Sequence, residues 1–129
     1  MEAMAIVTAL ALIQMVFFAI QVGKAREKHG VSAPKMSGHE EFEREFRVHQ
    51  NTLEQIVVFL PAMWMFGYFV HPYWGAGVGL VYLLSRFLYR HKYVSDPGSR
   101  GSAFIMGFAA IAVLLLGSIV GAVLSWLAH

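Results

Sequence analysis

The chain has 129 residues, of which 57% are hydrophobic and only 14% charged, and its mean hydropathy is +0.56. That balance excludes an ordinary soluble domain and points to an all-α integral membrane protein, a single domain over residues 1–129. There is no cysteine, so disulfide exchange, side-chain thiolate catalysis and cysteine-ligated metal clusters are excluded, and any thiol chemistry must arrive with a ligand. The formal charge of +2 and the pI near 9.1 come from scattered basic residues beside apolar helices, so no nucleic-acid partner is expected.

The first predicted helix covers residues 3–23, an apolar run interrupted by Thr8, Gln14 and Gln21 and long enough to span a bilayer. Positive charge follows it at Lys24, Arg26 and Lys28, whereas a cleaved signal peptide carries positive charge in front, so the segment is expected to be retained. Residues 24–40 contain Gly30, Pro34 and Gly38 and read as a polar connection.

The second helix, predicted over 41–70, joins charge to hydrocarbon without a break. Its apolar part, Ile56 to Val70, is about 15 residues or roughly 22 Å, short of a hydrocarbon core of about 30 Å. The helix must finish its crossing with polar residues, which puts Asn51 and Glu54 inside the membrane. An ionisable group there costs at least about 2.5 kcal/mol and marks a functional site by default. At about 100° per residue, Arg44, Arg47, Asn51, Glu54 and Val58 share a stripe about 80° wide. The plainer alternative is an Arg47–Glu54 network that neutralises itself.

A short His71–Pro72–Tyr73 connection predicts a third helix, residues 74–93, antiparallel to the second. Its apolar part, Trp74 to Ser85, is only about 12 residues, so Arg86 lies at or within the hydrocarbon boundary, and Gly79, Tyr82, Arg86, Tyr89, Arg90 and Tyr93 recur along the helix at spacings of three and four. On this helix alone the arginines could equally snorkel and the tyrosines form an interfacial belt. Residues 94–102 form a second polar connection, and 103–127 a fourth helix that is apolar throughout. Gly75 and Gly79, and again Gly117 and Gly121, form GxxxG pairs suited to close helix packing.

All Lys and Arg residues fall in or beside the connections 24–47 and 86–100, and none at the termini or the His71–Tyr73 turn. The positive-inside rule therefore predicts that the polar loops 24–40 and 94–102 are cytoplasmic, in a bacterial inner membrane or endoplasmic reticulum. The inward groups counted from these patterns are Arg44, Arg47, Arg86, Arg90 and Arg100 against Glu54, a cationic excess that asks for an anion. Guanidinium forks suit carboxylates, and Asn51 suits a peptide amide. A small peptide-like zwitterion with extra carboxylates satisfies these groups together, while lipid-facing walls admit a hydrophobic second substrate.

The segment FEREFRVHQNTLEQIVVFLPAMW, followed by GLVYLLSRFLYRHKY, resembles the membrane-associated proteins in eicosanoid and glutathione metabolism. These include the microsomal glutathione transferases, leukotriene C synthases and prostaglandin E synthases. The resemblance covers nearly the whole chain and implies a four-helix membrane bundle that assembles as a homotrimer, with glutathione as cosubstrate bound between subunits. Carried over by position, it implies that Arg47, Asn51, Glu54, Tyr89, Tyr93 and Arg100 contact glutathione on one subunit; Arg86, placed inward by its own helical stripe, is expected to bind with them. Arg26 and His49 would come from the neighbour. His49 lies about 160° around the helix from Arg47, which suits a site across an interface but equally a packing residue.

Glutathione reacts as its thiolate, and Arg100 is the cation expected to stabilise it. The implied activity is a broad glutathione transferase or peroxidase acting on a hydrophobic electrophile or lipid hydroperoxide. Gln55 and Glu27 depart from the tyrosine and arginine of leukotriene-type members and argue against that specialisation. A non-catalytic lipid-binding scaffold would be expected to lose part of the arginine and tyrosine set. A four-helix multidrug exporter would need an acid in the first helix, where this chain has Gln14.

Overall fold

Long helices joined by short connections account for nearly all of residues 1–129 in a computed structural model. They are α1 (Glu2–His29), α2 (Glu40–Phe69), α3 (Pro72–Ser95) and α4 (Gly101–Leu127), with one 3-10 turn at Pro97–Ser99. The first helix outruns its expected end at residue 23. Lys24 to Lys28 are good helix formers, and nothing stops the helix until Gly30, whose φ of 65° lets its amide turn back to the carbonyl of Arg26. The third helix starts earlier than expected, at Pro72, because proline fits the first helical position. Histidine caps both central helices: the side chains of His39 and His71 accept from the amides of Glu41 and Tyr73.

Helices α2 and α3 form the middle of the bundle, each packed on the other and on both α1 and α4. The buried stripe of α2 explains this placement: Phe42, Glu45, Val48, Thr52, Ile56, Phe59, Met63 and Phe66 recur every three or four residues. Met4, Phe59, Met63, Tyr82 and Leu114 form the main core, and a smaller cluster of Phe18, Val48, Tyr89 and Ala103 supports the polar end. Ile6, Ile13, Leu84, Ile105, Leu116 and Leu124 point outward.

Three helices, α1, α2 and α4, are long and apolar enough to cross a membrane. The third is 24 residues, or roughly 36 Å, so its length suffices. It is less apolar because it carries glycines, tyrosines and basic residues, of which Gly75, Gly79, Tyr82, Arg86 and Tyr89 turn into the bundle. The chain is an integral membrane protein.

Both glycine pairs serve close packing. A Cβ on Gly79 would fall 2.6 Å from the sulfur of Met63 and 2.8 Å from a methyl of Val7. One on Gly121 would fall 2.9 Å from the carbonyl oxygen of Phe69, a backbone atom that cannot step aside. Gly121→Ala is therefore expected to push α4 off α2 and destabilise the bundle by about 1–3 kcal/mol. A lower thermal midpoint in detergent checks it, and an unchanged midpoint refutes it.

Candidate functional site

The polar ends of α2 and α3 meet the start of α4 around a cavity of about 500 Å³. Arg47 and Asn51 come from α2, Tyr89 and Tyr93 from α3, and Arg100 with Gly98, Gly101 and Phe104 from the turn into α4. Spacing explains the convergence. Arg47 and Asn51 are four apart on one helix face, as are Tyr89 and Tyr93, and the 3-10 turn at Pro97–Ser99 folds Arg100 back over them.

No Asp or Glu lines this cavity. Arg47 makes only a long contact with Gln50, at 3.5 Å, and Arg100 donates to the carbonyl of Pro97 at 2.7 Å. Neither arginine has an acidic partner, whereas Arg44 pairs with Glu40 at 3.3 Å and Arg90 with Glu45 at 2.7 Å. Helix α4 has no side-chain cap, so its first amides remain free beside Arg100. Cations and amide donors thus face one space, and an anion suits it. The rings of Tyr89 and Tyr93 stack at 5.5 Å, and neither hydroxyl has a hydrogen-bond partner within the chain. Arg47 and Tyr93 also border a second hollow, which Glu40, Glu43 and Arg44 reach from the loop side.

The other expected site residues lie elsewhere. Arg86 does not line the cavity; it is 1% exposed and its donors are taken up by Asn51, Thr52 and Gln55. Glu54 lies one turn beyond Asn51 on α2 and is exposed, outside the cavity of a single chain. Arg26 donates to the carbonyl of Lys35 at 2.6 Å and lies over the ring of Phe42 at 4.6 Å, at the far side of the loop. His49 is half-buried and also outside.

The inward charge is smaller than the helical stripes imply. Arg44 and Arg90 are neutralised, and Glu45, which the helical-stripe reading passed over, is buried against Arg90. The signal for Glu45 was present: it sits in register with Phe42, Val48 and Ile56 on the apolar stripe of α2. Gln14, placed where an exporter would need an acid, instead donates to the carbonyl of Leu83 at 2.9 Å and ties α1 to α3.

Fold and site together define a helical membrane protein with an anion-seeking cavity at one end of its bundle. The chain belongs to the MAPEG family, whose pattern matches residues 4–120. It is 40% identical over 115 residues to protein sll1147 of Synechocystis, covering 89% of this chain and 84% of that one. It is 38% identical over 117 residues to human microsomal glutathione S-transferase 2, covering 90% of this chain and 80% of the relative. Guinea-pig (Cavia porcellus) leukotriene C4 synthase is 35% identical over 112 residues, covering 87% of this chain and 75% of the relative.

Proposed function

We propose that the protein is a membrane-bound glutathione transferase with peroxidase capacity, and that the cavity between α2, α3 and α4 holds glutathione. The observation that carries this reading is the pair Arg47 and Arg100, two arginines without acidic partners facing one polar cavity. Relatives named microsomal glutathione S-transferase 2 and leukotriene C4 synthase support it.

Arg47 anchors a carboxylate through its fork, Asn51 and the free tyrosine hydroxyls take the peptide groups, and Arg100 holds the sulfur as thiolate. The thiol proton leaves to water on binding. The thiolate then attacks an electrophilic carbon delivered from the lipid; a carbon–sulfur bond forms and the leaving group departs with its electron pair. With a lipid hydroperoxide the thiolate takes the terminal oxygen, an alcohol leaves, and a second glutathione completes the disulfide and releases water.

Glu54, Arg26 and His49 join the site in a homotrimer, in which Arg26 and His49 face the cavity of the neighbouring copy. The loops 24–40 and 94–102 face the cytoplasm, where glutathione is. Gln55 and Glu27 favour broad detoxification over a dedicated leukotriene synthase.

The test is to purify the protein in detergent, add glutathione, and follow thiolate absorbance together with turnover of a generic aryl halide. Saturable absorbance and turnover are expected. Protein that neither binds nor ionises glutathione overturns the reading.

A further inference from the structure

Arg86 is the most enclosed charged group in the chain, 1% exposed, and no carboxylate lies within ion-pair distance of it. A buried cation without a counterion is costly unless its surroundings solvate it closely. Here neutral oxygens do so. Nε donates to the Thr52 hydroxyl at 3.1 Å, and one terminal nitrogen donates to Gln55 Oε1 at 3.1 Å. The other donates to Asn51 Oδ1 and to Thr52, each at 2.8 Å. Thr52 sends its own proton to the carbonyl of Val48 at 2.8 Å, which leaves its oxygen free to accept from both nitrogens.

A guanidinium has donors only, so it decides which end of the Asn51 amide can face it. Oδ1 is drawn to Arg86, and Nδ2, which has no partner within the chain, is left for the cavity that Asn51 lines. Arg86 also lies 4.4 Å from the centre of the Tyr89 ring, Tyr89 stacks on Tyr93, and Arg100 lies 5.2 Å over Tyr93. The two tyrosines of the cavity are held between two cations.

We propose that Arg86 is a positioning residue which keeps an unneutralised charge beside the cavity and locks Asn51 as a hydrogen-bond donor toward it, so that the site selects a ligand oxygen acceptor there, a carbonyl or carboxylate. Arg86 touches no ligand itself. The acceptor half of this proposal rests on the glutathione reading; the charge half does not.

Asn51→Asp separates the two. The aspartate has the same shape and keeps an oxygen on Arg86, but it supplies the missing counter-charge and turns an acceptor, not a donor, into the cavity. Without ligand, Asn51→Asp is expected to melt several degrees above wild type; an unchanged or lower midpoint overturns the charge half. With glutathione, its KM is expected to rise about tenfold to a hundredfold, because a donor facing an oxygen has been replaced by a repelling oxygen. Wild-type affinity in Asn51→Asp overturns the acceptor half.

Arg86→Gln supplies both donor and acceptor and so frees Asn51 to flip. Its KM for glutathione is expected to rise while kcat at saturation holds within about threefold, the pattern of lost ground-state binding. A purely structural role would instead lower the active fraction and leave KM unchanged, and that result overturns the positioning role. Failure of wild type to bind glutathione overturns the proposed function and the acceptor half with it, leaving the melting comparison to decide the charge half.

Discussion

Replacement of Arg100 by alanine is expected to abolish the thiolate absorbance of bound glutathione and to lower kcat with an aryl halide by about 100-fold or more, the range seen when a preorganised stabiliser of a reacting anion is removed. Arg100 suits this task because it is held without being neutralised. Its guanidinium is tethered to the carbonyl of Pro97 and lies over Tyr93, and no acid competes for it. A free thiol has a pKa of about 8.5, and a fixed cation lowers it. Loss of the cation returns the thiol toward that value, so the rate profile of Arg100→Ala shifts to higher pH and the rate difference narrows in alkali. Arg100→Lys keeps the charge and is expected to retain part of the absorbance. A variant lacking Arg100 that still ionises glutathione at neutral pH would show that another group, such as the free amides at the start of α4, performs the step.

The helices were legible as apolar runs of spanning length and their boundaries less so: Gly30 and Pro72 stop and start a helix by their own backbone limits, yet the apolar runs alone put the end of α1 at residue 23 and the start of α3 at residue 74. The lining of the candidate cavity was legible where both members of a pair share a helix face. Arg47 with Asn51, and Tyr89 with Tyr93, needed only the helical repeat to be placed together, and the cavity contains all of them. What the repeat could not supply was the partner across helices. Arg86 falls on the same stripe as Tyr89, yet its long side chain turns back onto α2 and is consumed by Asn51, Thr52 and Gln55. Arg90, one residue beyond Tyr89, turns to Glu45 and Gln21. Periodicity gives a residue's direction on its own helix, and side-chain length and neighbours decide what it meets.

The Glu45–Arg90 pair gives the larger stability effect. Glu45 is 6% exposed and its carboxylate receives two bonds from Arg90, at 2.7 and 3.1 Å, while Arg90 also reaches Gln21 on α1 at 3.3 Å and lies 5.4 Å over Phe17. One ion pair therefore ties three helices at the polar end, directly behind the cluster of Phe18, Val48 and Tyr89. Removing one partner of a buried pair leaves an uncompensated charge and costs about 3–5 kcal/mol, less where one partner keeps some water, as Arg90 does. Glu45→Ala is thus expected to destabilise the bundle by about 2–4 kcal/mol, read as a lowered thermal midpoint in detergent. Glu45→Met combined with Arg90→Met removes both charges and keeps the volume, so it is expected to recover most of that loss. If the double variant is no better than Glu45→Ala alone, the pair acts through packing and not through charge. Recovery would identify it as a neutralised tie between helices, in contrast to Arg86, whose charge is left for the site.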